Sequence, residues 1–152
     1  MTADRLVKEH TESIFKASLN FPEFEGDWKL QELKPFLERY TEKVSVTTSL
    51  PIYSSTREGL LPQEEYYGGR LLNDGEYGVV PVGYFVYRHM SDDAVFKFNV
   101  NRTSGAIAVS KEYPVFSTVG LDPEFLRYLL NESGAFRPFA APQRKGGTRT
   151  RL

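Results

Sequence analysis

Two pairs of adjacent carboxylates, Glu64-Glu65 and Asp92-Asp93, are the residues of this chain best suited by type to chemistry. Paired acids can hold a divalent cation, or divide into an acid and a base where their surroundings separate the pKa values. In loops that also carry glycine and proline, adjacent acids are far more often solvated, or serve as landing points for a partner's Lys and Arg. His89 lies in Tyr87-Arg88-His89-Met90-Ser91-Asp92-Asp93. With Asp92 or Asp93 it supplies the ingredients of an oriented general base. Ser and Asp are too common in loops for that combination to outweigh a plain loop histidine. His10 falls on an amphipathic face and reads as a half-buried packing residue. The two histidines are far apart in sequence and stand in no metal-ligand spacing.

Most catalytic templates fail. There is no Gly-x4-Gly-Lys-Ser/Thr loop, no Gly-x-Gly-x-x-Gly after a strand and no Gly-x-Ser-x-Gly elbow. Tyr66-Tyr67-Gly68-Gly69-Arg70 brings two glycines together, which a turn explains better than an anion nest. Cysteine is absent, which removes disulfides, thiolate zinc sites and a cysteine nucleophile and fits a reducing compartment. Asn101-Arg102-Thr103 and Asn131-Glu132-Ser133 match the glycosylation triplet, which has no meaning without secretion. No cofactor or metal is expected.

Charge is unevenly spread. The net charge is −1, yet after Ser133 the chain carries Arg137, Arg144, Lys145, Arg149 and Arg151 and no acid, which leaves residues 1–132 at −6. An acidic body repels bare nucleic acid and favours basic partners, although −6 is also an ordinary solubility charge. Arg144, Lys145, Arg149 and Arg151 could neutralise phosphates. No aromatic residue is interleaved with them, so nucleic acid is not the expected partner except through this tail. No apolar run approaches the roughly 20 residues of a spanning helix. The opening residues, with Asp4, Arg5, Lys8, Glu9, His10 and Glu12, contain no signal-peptide core. The expectation is a soluble, cytoplasmic protein.

The elements that must position these residues read as an α+β domain. Leu6, Val7, His10, Ile14, Ala17 and Ser18 form a stripe at helical spacing, predicting a helix from about Asp4 to Leu19. A second helical region is expected from Trp28 to Thr41, capped by Asp27 and interrupted at Pro35, either by a kink or as two short helices with Pro35 in the first turn of the second, with Leu30, Leu33, Phe36, Leu37 and Tyr40 as its buried face. Val44 to Leu50 reads as a strand, and Pro51 to Gly78 as a long structured loop with short strands at Tyr66-Tyr67 and Arg70 to Leu72. Asn73-Asp74-Gly75-Glu76 is a turn signature. Val79 to Tyr87, Ala94 to Val100 and Ala106 to Ser110 then read as strands. Within them Phe96, Phe98 and Val100 are expected on one side, with Lys97 and Asn99 on the other. A last helix opens at Asp122-Pro123-Glu124, packs through Phe125, Leu126, Leu129 and Leu130, and stops near Gly134. The sum is a single antiparallel or mixed twisted sheet packed against N-terminal helices and one C-terminal helix. Residues 1–139 form one domain and 140–152 a basic disordered tail.

Val80-Pro81-Val82-Gly83, the Phe96-Lys97-Phe98-Asn99-Val100 strand, the Thr103-Ser104-Gly105-Ala106-Ile107 turn and strand, and Ser117-Thr118-Val119 leading into Phe125-Leu126-Arg127-Tyr128-Leu129 resemble the SUKH superfamily. The chain departs from that pattern at Asn99 and Asn101, where aspartate is more usual, and shows no clear N-terminal Leu-Gly…Leu-Pro signature. The resemblance implies a non-enzymatic domain that binds a partner protein, often a toxin, as an immunity protein. On that reading the interface lies at Glu64, Glu65, Tyr66 and Tyr67 and at Tyr84, Tyr87, His89, Asp92 and Asp93. Tyrosines there supply rigid contact area and acids electrostatic fit. Two other readings stay open: a small-ligand-binding domain or enzyme with a pocket between sheet and N-terminal helices, and a structural or assembly subunit.

Overall fold

The computed structural model describes residues 14–22, 28–63, 75–91, 96–134, 136, 144–145 and 149–151. In chain order the strands are β1 (Ser18–Pro22), β2 (Trp28–Glu32), β3 (Leu37–Tyr40), β4 (Lys43–Ser45), β5 (Tyr53–Thr56) and β6 (Gly59–Pro62). They continue with β7 (Glu76–Val80), β8 (Phe85–Val86), β9 (Met90–Ser91), β10 (Asn99–Val100), β11 (Ile107–Ser110) and β12 (Val115–Thr118). Helix α1 (Pro123–Asn131), β13 (Arg144–Lys145) and β14 (Arg149–Arg151) close the order, and single 3-10 turns occupy Ile14–Lys16 and Lys34–Phe36. The chain divides into two compact units, one of Met1–Leu37, Met90–Val95 and Val119–Leu152, the other of Glu38–His89 and Phe96–Thr118.

In the first unit β1 and β2 pair antiparallel from Ser18↔Glu32 to Pro22↔Trp28, and Leu33 N–H donates to the Ala17 carbonyl at 2.9 Å. This corrects the second expected helix and, within the described residues, the end of the first. Residues 14–16 make one 3-10 turn and residues 18–22 are extended, while residues 4–13 of the expected helix lie outside the described residues. Pro22 disfavours a helical Phe21, and pairing with β2 gives the extended backbone the partners it needs. Pro35 does not kink a longer helix. It sits in the first turn of the Lys34–Phe36 3-10 turn, after which Leu37 is fully extended. The spacing of Leu33 and Leu37 suggested a helical face, and both are indeed buried, but by a turn and a strand.

Helix α1 follows the sequence closely. Asp122 Oδ1 accepts the Glu124 N–H at 3.3 Å, Pro123 stands in the first turn, and Leu126, Leu129 and Leu130 are buried, with Phe125 half-buried. Gly134, past its end, has φ +80°, a left-handed conformation that suits glycine. Exposed Glu124 and Glu132 both pair with Arg127, at 3.0 and 3.1 Å. Within residues 140–152, β13 and β14 pair through Arg144↔Thr150 and Lys145↔Arg149, and β14 pairs with β9 through Thr150↔Ser91 and Arg151↔Met90.

The second unit replaces the expected single sheet with smaller antiparallel ones, in the orders β10-β8-β12-β3 and β11-β7-β4, with β5-β6 as a separate hairpin. Tyr77, Gly78, Val79 and Val80 of β7 are all buried, as are Ile107, Ala108 and Val109 of β11. Strands covered on both faces need continuous apolar runs, which these sequences supply. Val80, Val86, Ile107, Val109 and Val115 form an aliphatic core, with Tyr40, Tyr53, Leu60, Tyr84 and Tyr113 packed against it half-buried. Phe85 stacks on Phe116 with ring centres 4.9 Å apart.

Three local expectations change here. The Val79 to Tyr87 run is two strands separated by a turn at Pro81–Tyr84, because Pro81 has no N–H to continue a ladder. Asn99 is buried and Val100 only half-buried, the reverse of the expected facing. Asn99 Nδ2 donates to Ser55 Oγ at 2.9 Å and to the Thr56 carbonyl at 3.0 Å, so its burial is satisfied. The loop expected from Pro51 contains the β5–β6 hairpin, while the strands expected at Tyr66-Tyr67 and Arg70 to Leu72 lie outside the described residues. Thr56 closes that hairpin, its Oγ1 donating to the Gly59 carbonyl at 2.8 Å. Among the described residues no helix is long and apolar enough to cross a membrane.

Candidate functional site

The connection from β7 to β8 is the best-defined exposed feature of the second unit. Tyr84 N–H donates to the Pro81 carbonyl at 3.1 Å and Gly83 has φ +86°, the geometry of a turn that needs glycine at its third position. That geometry places Val82 at the tip, 52% exposed. The turn is held from beneath by Asn101, whose N–H donates to the Tyr84 carbonyl at 2.9 Å while its own carbonyl accepts the Gly83 N–H at 2.8 Å.

The Asn101 side chain, 0% exposed, extends the clamp. Its Nδ2 donates to the Val80 carbonyl at 2.8 Å and to the Gly105 carbonyl at 3.0 Å. Its Oδ1 accepts from Thr103 N at 2.9 Å, and Thr103 Oγ1 lies 2.7 Å away. The single Thr103 hydroxyl proton is shared in time with the Gly105 carbonyl at 2.8 Å. One amide therefore joins the end of β7, the Pro81–Tyr84 turn and the Asn101–Gly105 loop. Its role is structural, and the buried, fully engaged Nδ2 is closed to glycosylation in the fold.

Beside the turn, the Tyr84 ring meets Tyr40 edge to face, with centres 5.1 Å apart and planes at 82°. Such a pair contributes about 0.5–1.5 kcal/mol beyond burial. Tyr40 ends β3, and Glu42 follows in the link to β4, where its carbonyl accepts the Val79 N–H at 3.1 Å. Burial, the Glu42 carboxylate and Tyr84, in that order, raise the Tyr40 hydroxyl pKa. Glu38 lies two residues before Tyr40 on the extended strand and so projects to the same side. Glu38 and Glu42 are exposed and make no ion pair among the described residues.

Of the residues singled out in the sequence, Tyr84 is half-buried at this turn. Tyr87 is 1% exposed, with its ring 4.7 Å from Phe98 and 6.3 Å from Phe116, so it packs internally and offers no contact area. His89 is half-buried. Glu64, Glu65, Tyr66, Tyr67, Asp92 and Asp93 lie outside the described residues. Sequence reasoning missed Tyr40, assigned to a helix face, and Asn101, read as a glycosylation triplet. The Pro81–Tyr84 turn lay inside a run read as one strand, although its Pro-Val-Gly order was the signal for it. The second unit carries eight acidic and eight basic residues, so the acidic excess of residues 1–132 is not its own. Charge at this site is local: Glu38 lies on the Tyr40 side of β3, exposed Arg39 on the other, and exposed Glu42 and Lys43 follow. Among the described residues, no cluster of three or more His, Asp or Glu side chains is placed to hold a metal ion.

No protein-family model matches the chain, and the comparison with curated proteins found no match.

Proposed function

We propose that this chain is a non-enzymatic protein-binding module that binds and neutralises a basic partner, in the manner of a cytoplasmic immunity protein. The observation that carries the reading is Val82, an exposed apolar residue on a backbone clamped by Asn101, beside a tyrosine pair flanked by acids that make no ion pair among the described residues. Binding energy concentrates where rigid aromatic and apolar groups lose water, and little ordering entropy is lost when the loop is already fixed. The local acids add electrostatic fit and speed encounter with a cationic surface. The resemblance to the SUKH superfamily in the same turn and strands supports the assignment.

The test uses the full chain as bait for a partner, which is then purified and titrated back. The expected result is a one-to-one complex that weakens with added salt and abolishes the partner's own activity. A captured protein that keeps its full activity in the complex, or is chemically converted by the chain, would overturn the proposal.

A further inference from the structure

We infer that Tyr40, Tyr84 and Glu42 form a seat for a single cationic side chain, a guanidinium in preference to an ammonium, presented by the partner. The inference rests on the protein-binding reading and specifies the group that the site recognises.

The geometry is the first argument. In an edge-to-face pair the ring that presents its edge keeps both of its π faces clear of the other ring. Tyr40 and Tyr84 pack against the aliphatic core and are half-buried, so part of each residue also meets solvent. A cation within about 6 Å of such a ring face is attracted by its quadrupole, and arginine adds planar stacking.

Charge is the second argument. Glu42 follows Tyr40 by two residues in the link to β4 and its charge raises the Tyr40 hydroxyl pKa, while Glu38, two residues before Tyr40, projects to the same side of β3. Neither acid is neutralised by an ion pair among the described residues. A cation at the rings would meet a carboxylate with two acceptor oxygens, which suits the forked guanidinium better than the ammonium point charge. An anion would meet two carboxylates and the negative ring faces, and a neutral group would leave the acids solvated.

The position supplies the third argument. The Pro81–Tyr84 turn fixes Tyr84, and β3 fixes Tyr40, so the seat needs no rearrangement before binding. Val82 at the tip of the same turn gives the aliphatic stem of an arginine an apolar surface to lie on.

The experiment titrates the full chain with N-acetyl-arginine methylamide and follows the Tyr40 and Tyr84 ring resonances by NMR, assigned with Tyr40→Phe and Tyr84→Phe. The lysine analogue and the neutral citrulline analogue serve as comparisons. The expected result is a saturable shift of both rings, stronger for arginine than for lysine and absent for citrulline, weakened about threefold or more in Glu42→Gln. Glu42 is exposed, so that variant keeps the fold. Shifts of equal size with citrulline, no shift of either ring, or unchanged affinity in Glu42→Gln would each overturn the seat. None of those outcomes bears on whether the chain captures and inhibits a protein partner, so failure of the seat and failure of the module are separate results.

Discussion

Replacing Asn101 with aspartate changes one atom group and tests whether this amide holds the turn. The side chain is 0% exposed, and its Nδ2 donates to two carbonyls at 2.8 and 3.0 Å. In Asn101→Asp those donors become a carboxylate oxygen facing two carbonyl oxygens, while the two bonds accepted from Thr103 survive. Two lost bonds and the burial of a charge against like partial charges amount to about 3–5 kcal/mol at neutral pH. At acid pH the protonated carboxyl regains one donor, and the deficit shrinks to about 1–2 kcal/mol. The sign follows from linkage. The introduced carboxyl has a folded pKa raised above its unfolded value of about 3.9, so its proton is held more tightly in the folded state. Stability is therefore best below that value and is lost as pH rises through the folded pKa. Urea unfolding of wild type and variant at several pH values, followed by circular dichroism, gives the difference directly. A deficit that is absent, or that does not change with pH, would refute the clamp.

Further outcomes follow from other residues. Tyr77 is buried, and its hydroxyl has no hydrogen-bond partner among the described residues, so Tyr77→Phe should raise stability by about 1 kcal/mol in urea unfolding. Burial also raises the Tyr77 pKa, so wild-type stability should be steady below about pH 10 and fall as pH rises through the folded value. Tyr77→Phe should reduce that alkaline loss. Asp122→Ala removes the cap of α1 and should cost about 1 kcal/mol, with faster amide exchange at Glu124. Gly83→Ala meets no atom within 4 Å of the added carbon, so its cost of about 1–2 kcal/mol should come from the φ of +86° alone.

What the sequence revealed was local. The α1 start at Asp122-Pro123, the β11 strand and the Asn101–Gly105 turn depend on residues within a few positions of one another, and they form where their signals lie. The N-terminal half depends on distant partners. Leu30, Leu33, Phe36, Leu37 and Tyr40 have helical spacing, but extended pairing of β1 with β2 and of β3 with β12 prevails. The β5 strand, Tyr53-Ser54-Ser55-Thr56, fell inside a segment read as a loop, because the groups that satisfy its buried polar atoms, Asn99 Nδ2 and the Val86 carbonyl, lie more than thirty residues away. The candidate site shows the same limit. Tyr84 stood out by type, whereas its contact with Tyr40 and its support from Asn101 arise only when β3, the turn and β10 come together.

The most direct measurement is the dissociation constant of the purified complex for wild type and for the uncharged Val82→Ser, at one salt concentration. Val82 is exposed and central to the proposed surface, so its loss should weaken binding by about thirtyfold while unfolding stays unchanged. An unaltered dissociation constant would place the partner elsewhere on the molecule and contradict the account.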